Sequence, residues 1–175
     1  MPKSSFNKVN EDKSKLLQLL EKNPKLSANE ISENLGFSRQ KAWRLVKDLE
    51  KSGMIWGYTT VIDESVRDYQ IFFALIKQNI PYLECTDRII KNVRADNSAK
   101  IGVKLIGLYY TTGPYDGVCI FAAKNITDAK KYLGYMMKQY EEYVTSIDLV
   151  QSIFPMVHLG KINPNLEKLK EFSIE

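Results

Sequence analysis

Seven side chains between Ser38 and Lys47 have the chemistry to meet a polyanion: Ser38, Arg39, Gln40, Lys41, Trp43, Arg44 and Lys47. The types suit double-stranded DNA. In a major groove Gln can pair with an adenine edge and Arg with a guanine edge, and an aromatic can lie against sugar or a thymine methyl. Gln40, Trp43 and Arg44 are therefore the candidates for base edges. Ser38, Arg39, Lys41 and Lys47 suit phosphates, which fix register and affinity without reading sequence. Two plainer readings stand beside this one. A charged stripe is also the solvated face of any amphipathic helix, and a large aromatic can fold back onto its own domain.

The elements that must hold these residues are legible from Ser27 to Gly53. Ser27 with Glu30 three residues on forms a capping box, opening a short helix that Leu35-Gly36-Phe37 breaks. Ser38 caps a second helix running to Ser52-Gly53. On it Ala42, Leu45, Val46 and Leu49 fall at i, i+3, i+4 and i+7, an apolar stripe behind the basic face. Two capped helices about a tight Gly turn make a helix-turn-helix. An earlier helix, from about Asn10 or Glu11 to Asn23, carries Leu16, Leu17, Leu19 and Leu20 as a brace and stops at Pro24. Met54 to Ile62, rich in aromatic and β-branched residues, reads as a strand or small two-stranded wing.

Charge sorts along the chain in the same sense. Of 25 Lys+Arg and 21 Asp+Glu, residues 1–60 hold 11 and 7, leaving 14 of each beyond. A basic head on a neutral remainder implies that the head alone meets a polyanion. With 44% hydrophobic residues in 175, the chain can bury one large or two small cores. No apolar run approaches the ~20 residues of a membrane span, and MPKSSFNKVNED has no apolar signal core, so the expected compartment is the cytoplasm. Cys85 and Cys119 read as small buried hydrophobes.

Beyond the polar break at 63–68 the texture changes. Tyr69 to Gln78 is an apolar-rich strand ended by Pro81, and a helix runs from about Leu83 to Asn92 or on to Lys100, with Ile89, Ile90 and Val93 inward. Val103–Thr112 and Val118–Ala123 are strands joined by the turn Gly113-Pro114-Tyr115-Asp116-Gly117. A helix capped at Thr127 or Asp128 runs to about Tyr143, and Val144 to Leu159 is a last strand, Pro155 setting its latter part at an edge. The order β-α-β-β-α-β is the ferredoxin-like split unit. Its helix-free face is apolar and calls for a cover, most simply a second copy in a two-fold dimer. The expected plan is α+β: an arm over 1–9, a winged helix-turn-helix over 10–62, a linker over 63–68, a ferredoxin-like domain over 69–159 and a tail helix over 160–175.

The second helix and the run after it resemble the Lrp/AsnC (feast/famine) transcription regulators. Their run Leu-Glu-x-x-Gly-x-Ile-x-Gly-Tyr stands here as Leu49, Glu50, Gly53, Ile55, Gly57 and Tyr58, and their Gly-x-Tyr-Asp turn as Gly113, Tyr115 and Asp116. Trp43 and Leu45 depart from the family, which favours a small polar residue and an Arg there. The resemblance implies a repressor or activator that binds DNA as a homodimer, tetramer or octamer. It also implies a small-molecule effector, mostly an amino acid, at an interface between dimers, with Thr112, Gly113, Tyr115 and Asp116 the candidates by position. Turn chemistry alone explains the same four residues as a well-made hairpin.

Two rival classes remain. One is an architectural protein that coats DNA without an effector. The other is a ferredoxin-like dimeric enzyme fused to a helix-turn-helix. Against catalysis, His158 is the only histidine, and no ligand spacing, phosphate loop or nucleophile elbow is visible, so neither metal nor cofactor is expected.

Overall fold

A computed structural model describes residues 3–79, 85–95 and 97–172. The chain divides into two compact units, Met1–Thr60 and Val61–Glu175.

The first unit is three helices, α1 (Lys3–Lys22), α2 (Ala28–Leu35) and α3 (Arg39–Lys51). Leu16 and Leu20 of α1, Ile31 of α2 and Ala42, Leu45 and Leu49 of α3 form its buried core. Each buried leucine contributes roughly 1.5–3 kcal/mol of transfer free energy, which is what holds helices this short together. Helix α1 starts at Lys3, so the arm expected over residues 1–9 is helical from that point. Residues 55–63 form no strand, so no wing is present among the described residues. Only Ile55 of that stretch packs on the core, while Trp56 is 98% exposed. Its aromatic and β-branched residues have no partner strand within the unit, and propensity alone does not make a ladder.

The second unit is built on β1 (Gln70–Gln78), β2 (Lys104–Tyr110), β3 (Gly117–Ala123) and β4 (Val144–Gln151), in the order β2-β3-β1-β4. All neighbours are antiparallel, Phe72 standing opposite Phe121 and Ala74 opposite Leu149. Helices α4 (Thr86–Ala95) and α5 (Ile126–Gln139) supply the two crossovers. The result is α+β with the β-α-β-β-α-β order read from the sequence. Alternation sends Phe72, Ala74, Cys119, Phe121 and Ala123 to one face, against Ala129, Tyr132 and Met136 of α5. The Phe121 ring lies 5.7 Å from Phe72 and 4.9 Å from Tyr132, centroid to centroid. Both cysteines are buried and unbridged.

Several boundaries differ from expectation. Asn125, not Thr127 or Asp128, caps α5: its Oδ1 accepts from the Asp128 amide at 2.9 Å. The expected stop at Pro81 and helix start at Leu83 lie outside the described residues. Strand β4 ends at Gln151. The chain then leaves the ladder, and a two-residue hairpin, β5 (Val157–His158) with β6 (Lys161–Ile162), turns through Leu159 and Gly160, both at positive φ. The expected tail helix is a 3-10 turn over Leu166–Phe172, its Phe172 ring 5.7 Å from Phe154. The helix-free face of the sheet is therefore partly covered by its own chain: Ile71, Phe73 and Ile120 share a hollow with residues 152–159.

The stretch 63–68 is not a loose linker. Asp63 caps a 3-10 turn over Glu64–Arg67. Glu64 is 5% exposed and ion-paired with Lys104 of β2, which locks this turn into the second unit. A six-residue stretch with five polar side chains reads as solvated loop, and only the pairing partner 40 positions away makes a buried carboxylate tolerable.

Candidate nucleic-acid interface

The helix-turn-helix is built as its sequence directs. Ser27 N–H donates to Glu30 Oε2 at 2.7 Å and Glu30 N–H to Ser27 Oγ at 3.3 Å, completing the capping box. These bonds, the Ser27 hydroxyl first, hold the Glu30 carboxyl below the ordinary Glu value. Gly36 takes the left-handed conformation at φ 66° that lets the chain reverse between the helices. Ser38 Oγ then accepts from the Lys41 amide at 3.2 Å to open α3.

Burying Ala42, Leu45 and Leu49 turns the opposite stripe of α3 outward. Gln40, Trp43, Arg44 and Lys47 recur at helical spacing along it, and Trp43 is 59% exposed, so it is not folded back onto its domain. Arg39, Gln40 and Arg44 make no hydrogen bond or ion pair with described residues, and their donors face water. Thirteen residues give α3 a length of about 20 Å, and a helix of this kind enters a major groove about 12 Å wide.

Two of the basic residues are not free. The Lys41 ammonium lies 2.6 Å from Asp12 Oδ2 on α1 and 4.1 Å from the Phe37 ring centroid. It ties the first helix to the third. Lys47 pairs with Glu50 at 2.8 Å, a bond that raises its pKa, and the Tyr58 hydroxyl donates to the other Glu50 oxygen at 3.2 Å. Spacing alone assigns both lysines to phosphate, and it carries no sign of acidic partners on other turns and on α1.

The turn between β2 and β3 is heavily braced. Thr111 N–H donates to Asp116 O and its hydroxyl to Tyr115 O, at 2.9 and 2.8 Å. The Asp116 amide donates to Ile76 O at 2.9 Å, and Asp116 Oδ2 accepts from the Gln78 amide at 2.8 Å. Tyr115 donates to Asp148 Oδ2 at 3.0 Å, which raises its pKa, and the Lys77 ammonium lies 5.3 Å from its ring. The backbone amides of Thr112 and Gly113 meet no backbone or side-chain acceptor among described residues. Thr112, Gly113, Tyr115 and Asp116 are thus brought together, with Asp116 already holding the edge of β1. Among the described residues no three His, Cys, Asp or Glu side chains converge to hold a metal. No helix of the described chain is long and apolar enough to cross a membrane.

The three-helix unit with its outward Gln, Trp and Arg defines a helix-turn-helix DNA-binding protein, and residues 13–55 match the family model described as winged helix-turn-helix DNA-binding. The HTH-type transcriptional regulator FL11 of Pyrococcus furiosus is 27% identical over 147 residues, covering 83% of this chain and 85% of that protein. The HTH-type transcriptional regulator Ptr1 of Methanocaldococcus jannaschii is 29% identical over 120 residues, covering 69% and 76%. In fold, the chain superposes on an AsnC family transcriptional regulator from Agrobacterium tumefaciens with TM-score 0.66 at 15% identity, over 87% of this chain and 95% of that one. A transcriptional regulator from Neisseria meningitidis, solved as a complex with L-Met, gives TM-score 0.65 at 16% identity, over 88% and 96%. The chain is a helix-turn-helix DNA-binding transcription regulator whose fold is similar to that of AsnC family regulators.

Proposed function

We propose that the regulator reads specific sequences in double-stranded DNA through Gln40, Trp43 and Arg44, as a homodimer or a higher assembly in the cytoplasm, and that an amino acid modulates it. The observation that carries the reading is the exposed and unengaged pair Gln40 and Arg44 flanking Trp43 on one face of α3. Ser38 and Arg39 at the start of the helix meet phosphate, and Lys47 joins them by exchanging Glu50 for it. Lys41 serves the fold, through Asp12. The sheet face that residues 152–159 only partly cover supports pairing with a second copy. For the effector, the open amides of Thr112 and Gly113 suit a carboxylate and Asp116 an amino group. The braced hairpin favours a second reading, a DNA-coating protein with no effector, since every bond in the turn also serves the strands.

The test is fluorescence anisotropy on DNA from upstream of the protein's own gene, across a salt series. Log affinity should fall against log salt with a slope of about −0.9 per phosphate neutralised. Arg44→Ala should lose about 1–3 kcal/mol of discrimination against random DNA. Weak binding with no salt dependence would overturn the reading. Sedimentation with and without a panel of amino acids separates the two versions: a shift in assembly supports the effector, and none across the panel supports the coat protein.

A further inference from the structure

The two helices that cover the sheet do so unequally. Helix α5 buries Ala129, Tyr132 and Met136 against it, whereas α4 buries no residue, and Ile90 and Val93, expected inward, are 42% and 46% exposed. Between α4, the flank of α5 and the sheet lies a cavity of about 300 Å³. That volume lies at the lower end of the range of small-molecule sites.

Its body is apolar. Ile76, Leu105 and Ile147 form the floor, Ile89 and Val93 the roof, and Tyr132 and Met136 a side wall. Besides Ser98 and tyrosine hydroxyls, its polar groups include two pairs. Asn92 donates from Nδ2 to the Tyr140 hydroxyl at 2.9 Å. Gln78 and Asp116 bring an amide and a carboxylate from neighbouring strand ends. Asp116 Oδ2 accepts from the Gln78 amide, and its other oxygen accepts from no described residue.

Charge decides what such a space takes. Asp116 is the only Asp, Glu, Lys, Arg or His among the described lining residues. Burial raises the Cys119 thiol to about 11 and raises Tyr140 as well, so both stay neutral near pH 7. The described lining therefore carries one negative charge and no positive one, and a carboxylate placed inside would meet repulsion and lose its water. An apolar body with a cationic nitrogen meets a matching floor and a partnerless oxygen.

We infer that this cavity is a binding site for arylalkylamine-type ligands, an aromatic body under α4 with its ammonium on Asp116, and that it rejects the corresponding amino acids. The site lies within one chain. It draws on the same Asp116 carboxylate as the effector proposed at the turn, so the two ligands exclude one another there, and its test is direct binding followed at the cavity methyls rather than release of DNA.

The full chain is titrated near neutral pH with tryptamine and, separately, with L-tryptophan, by calorimetry and by methyl NMR. Tryptamine should bind at least about tenfold more tightly, the scale of one charge-assisted bond. The methyls of Ile89, Met136 and Ile147 should shift while those of Leu45 and Leu49 do not. Asp116→Asn, which keeps an acceptor for the Gln78 amide, should remove most of the preference without lowering the melting temperature of the second unit by more than a few degrees. Equal affinity for the two probes, shifts confined to other methyls, or no shift at millimolar tryptamine would each overturn the inference. The comparison in the unmutated chain decides the matter if Asp116→Asn does not fold.

Discussion

Lys41 stands in the first turn of α3, the helix proposed to read DNA, yet its ammonium is engaged by Asp12. Residues of like charge and spacing thus divide by their neighbours: Arg39 and Arg44 face water, Lys47 shares Glu50, and Lys41 is structural. Two exposed carboxylates of the head also contribute to its stability toward acid. Glu30 is held low by the Ser27 hydroxyl and amide, and Glu50 by Lys47 and then Tyr58. A carboxyl whose folded value lies below its unfolded one stabilises the fold at every pH above the ordinary range. That contribution is lost as pH falls through the folded value. The melting temperature of the head should be level from pH 7 to about 5 and decline below about pH 4, and Glu30→Ala should flatten part of that decline. Circular dichroism melts across pH check both.

At the scale of elements, what is local in the chain is legible and what depends on distant partners is not. Ser27, Glu30, Gly36 and Ser38 act within a few residues of themselves, and the helix-turn-helix they specify stands where the sequence predicts it. The strands of the sheet follow from their apolar richness and from the turn at Gly113–Gly117. The stretch after α3 misleads because strand-forming residues need a neighbour, and none lies within the unit. Glu64 misleads because its partner is on β2, far along the sequence. The effector candidates at the turn do come together, but the cavity under α4 has no linear signature: its lining comes from both helices and all four strands of the sheet. The Glu64–Lys104 pair carries its own prediction. Lys104→Met strands a buried carboxylate, of which one oxygen already lacks a partner among described residues. Because the Lys104 side chain is 45% exposed, the loss should be at the lower end for a broken buried pair, about 2–3 kcal/mol. Urea unfolding should show it in the second unit's transition.

For the whole molecule, the basic excess sits in one unit and the sheet in the other. A head with its own buried core can fold alone, but under the proposed pairing a single head holds one half-site. Residues 1–60 expressed alone should bind operator DNA about a hundredfold or more weaker than the full chain, if pairing through the second unit supplies the effective concentration. Anisotropy on one labelled duplex compares the two directly. The same partition has an optical consequence. The chain has two tryptophans, Trp43 and Trp56, both in the first unit and both in water. Excitation at the red edge of protein absorbance therefore sees the head alone, the tyrosines of the sheet unit remaining dark. Emission should be red-shifted in the free protein and quenched as Trp43 stacks into the groove, while Trp56 supplies a steady background. The regulator carries its own lamp on the surface proposed to touch DNA, and needs no dye to report when it lands.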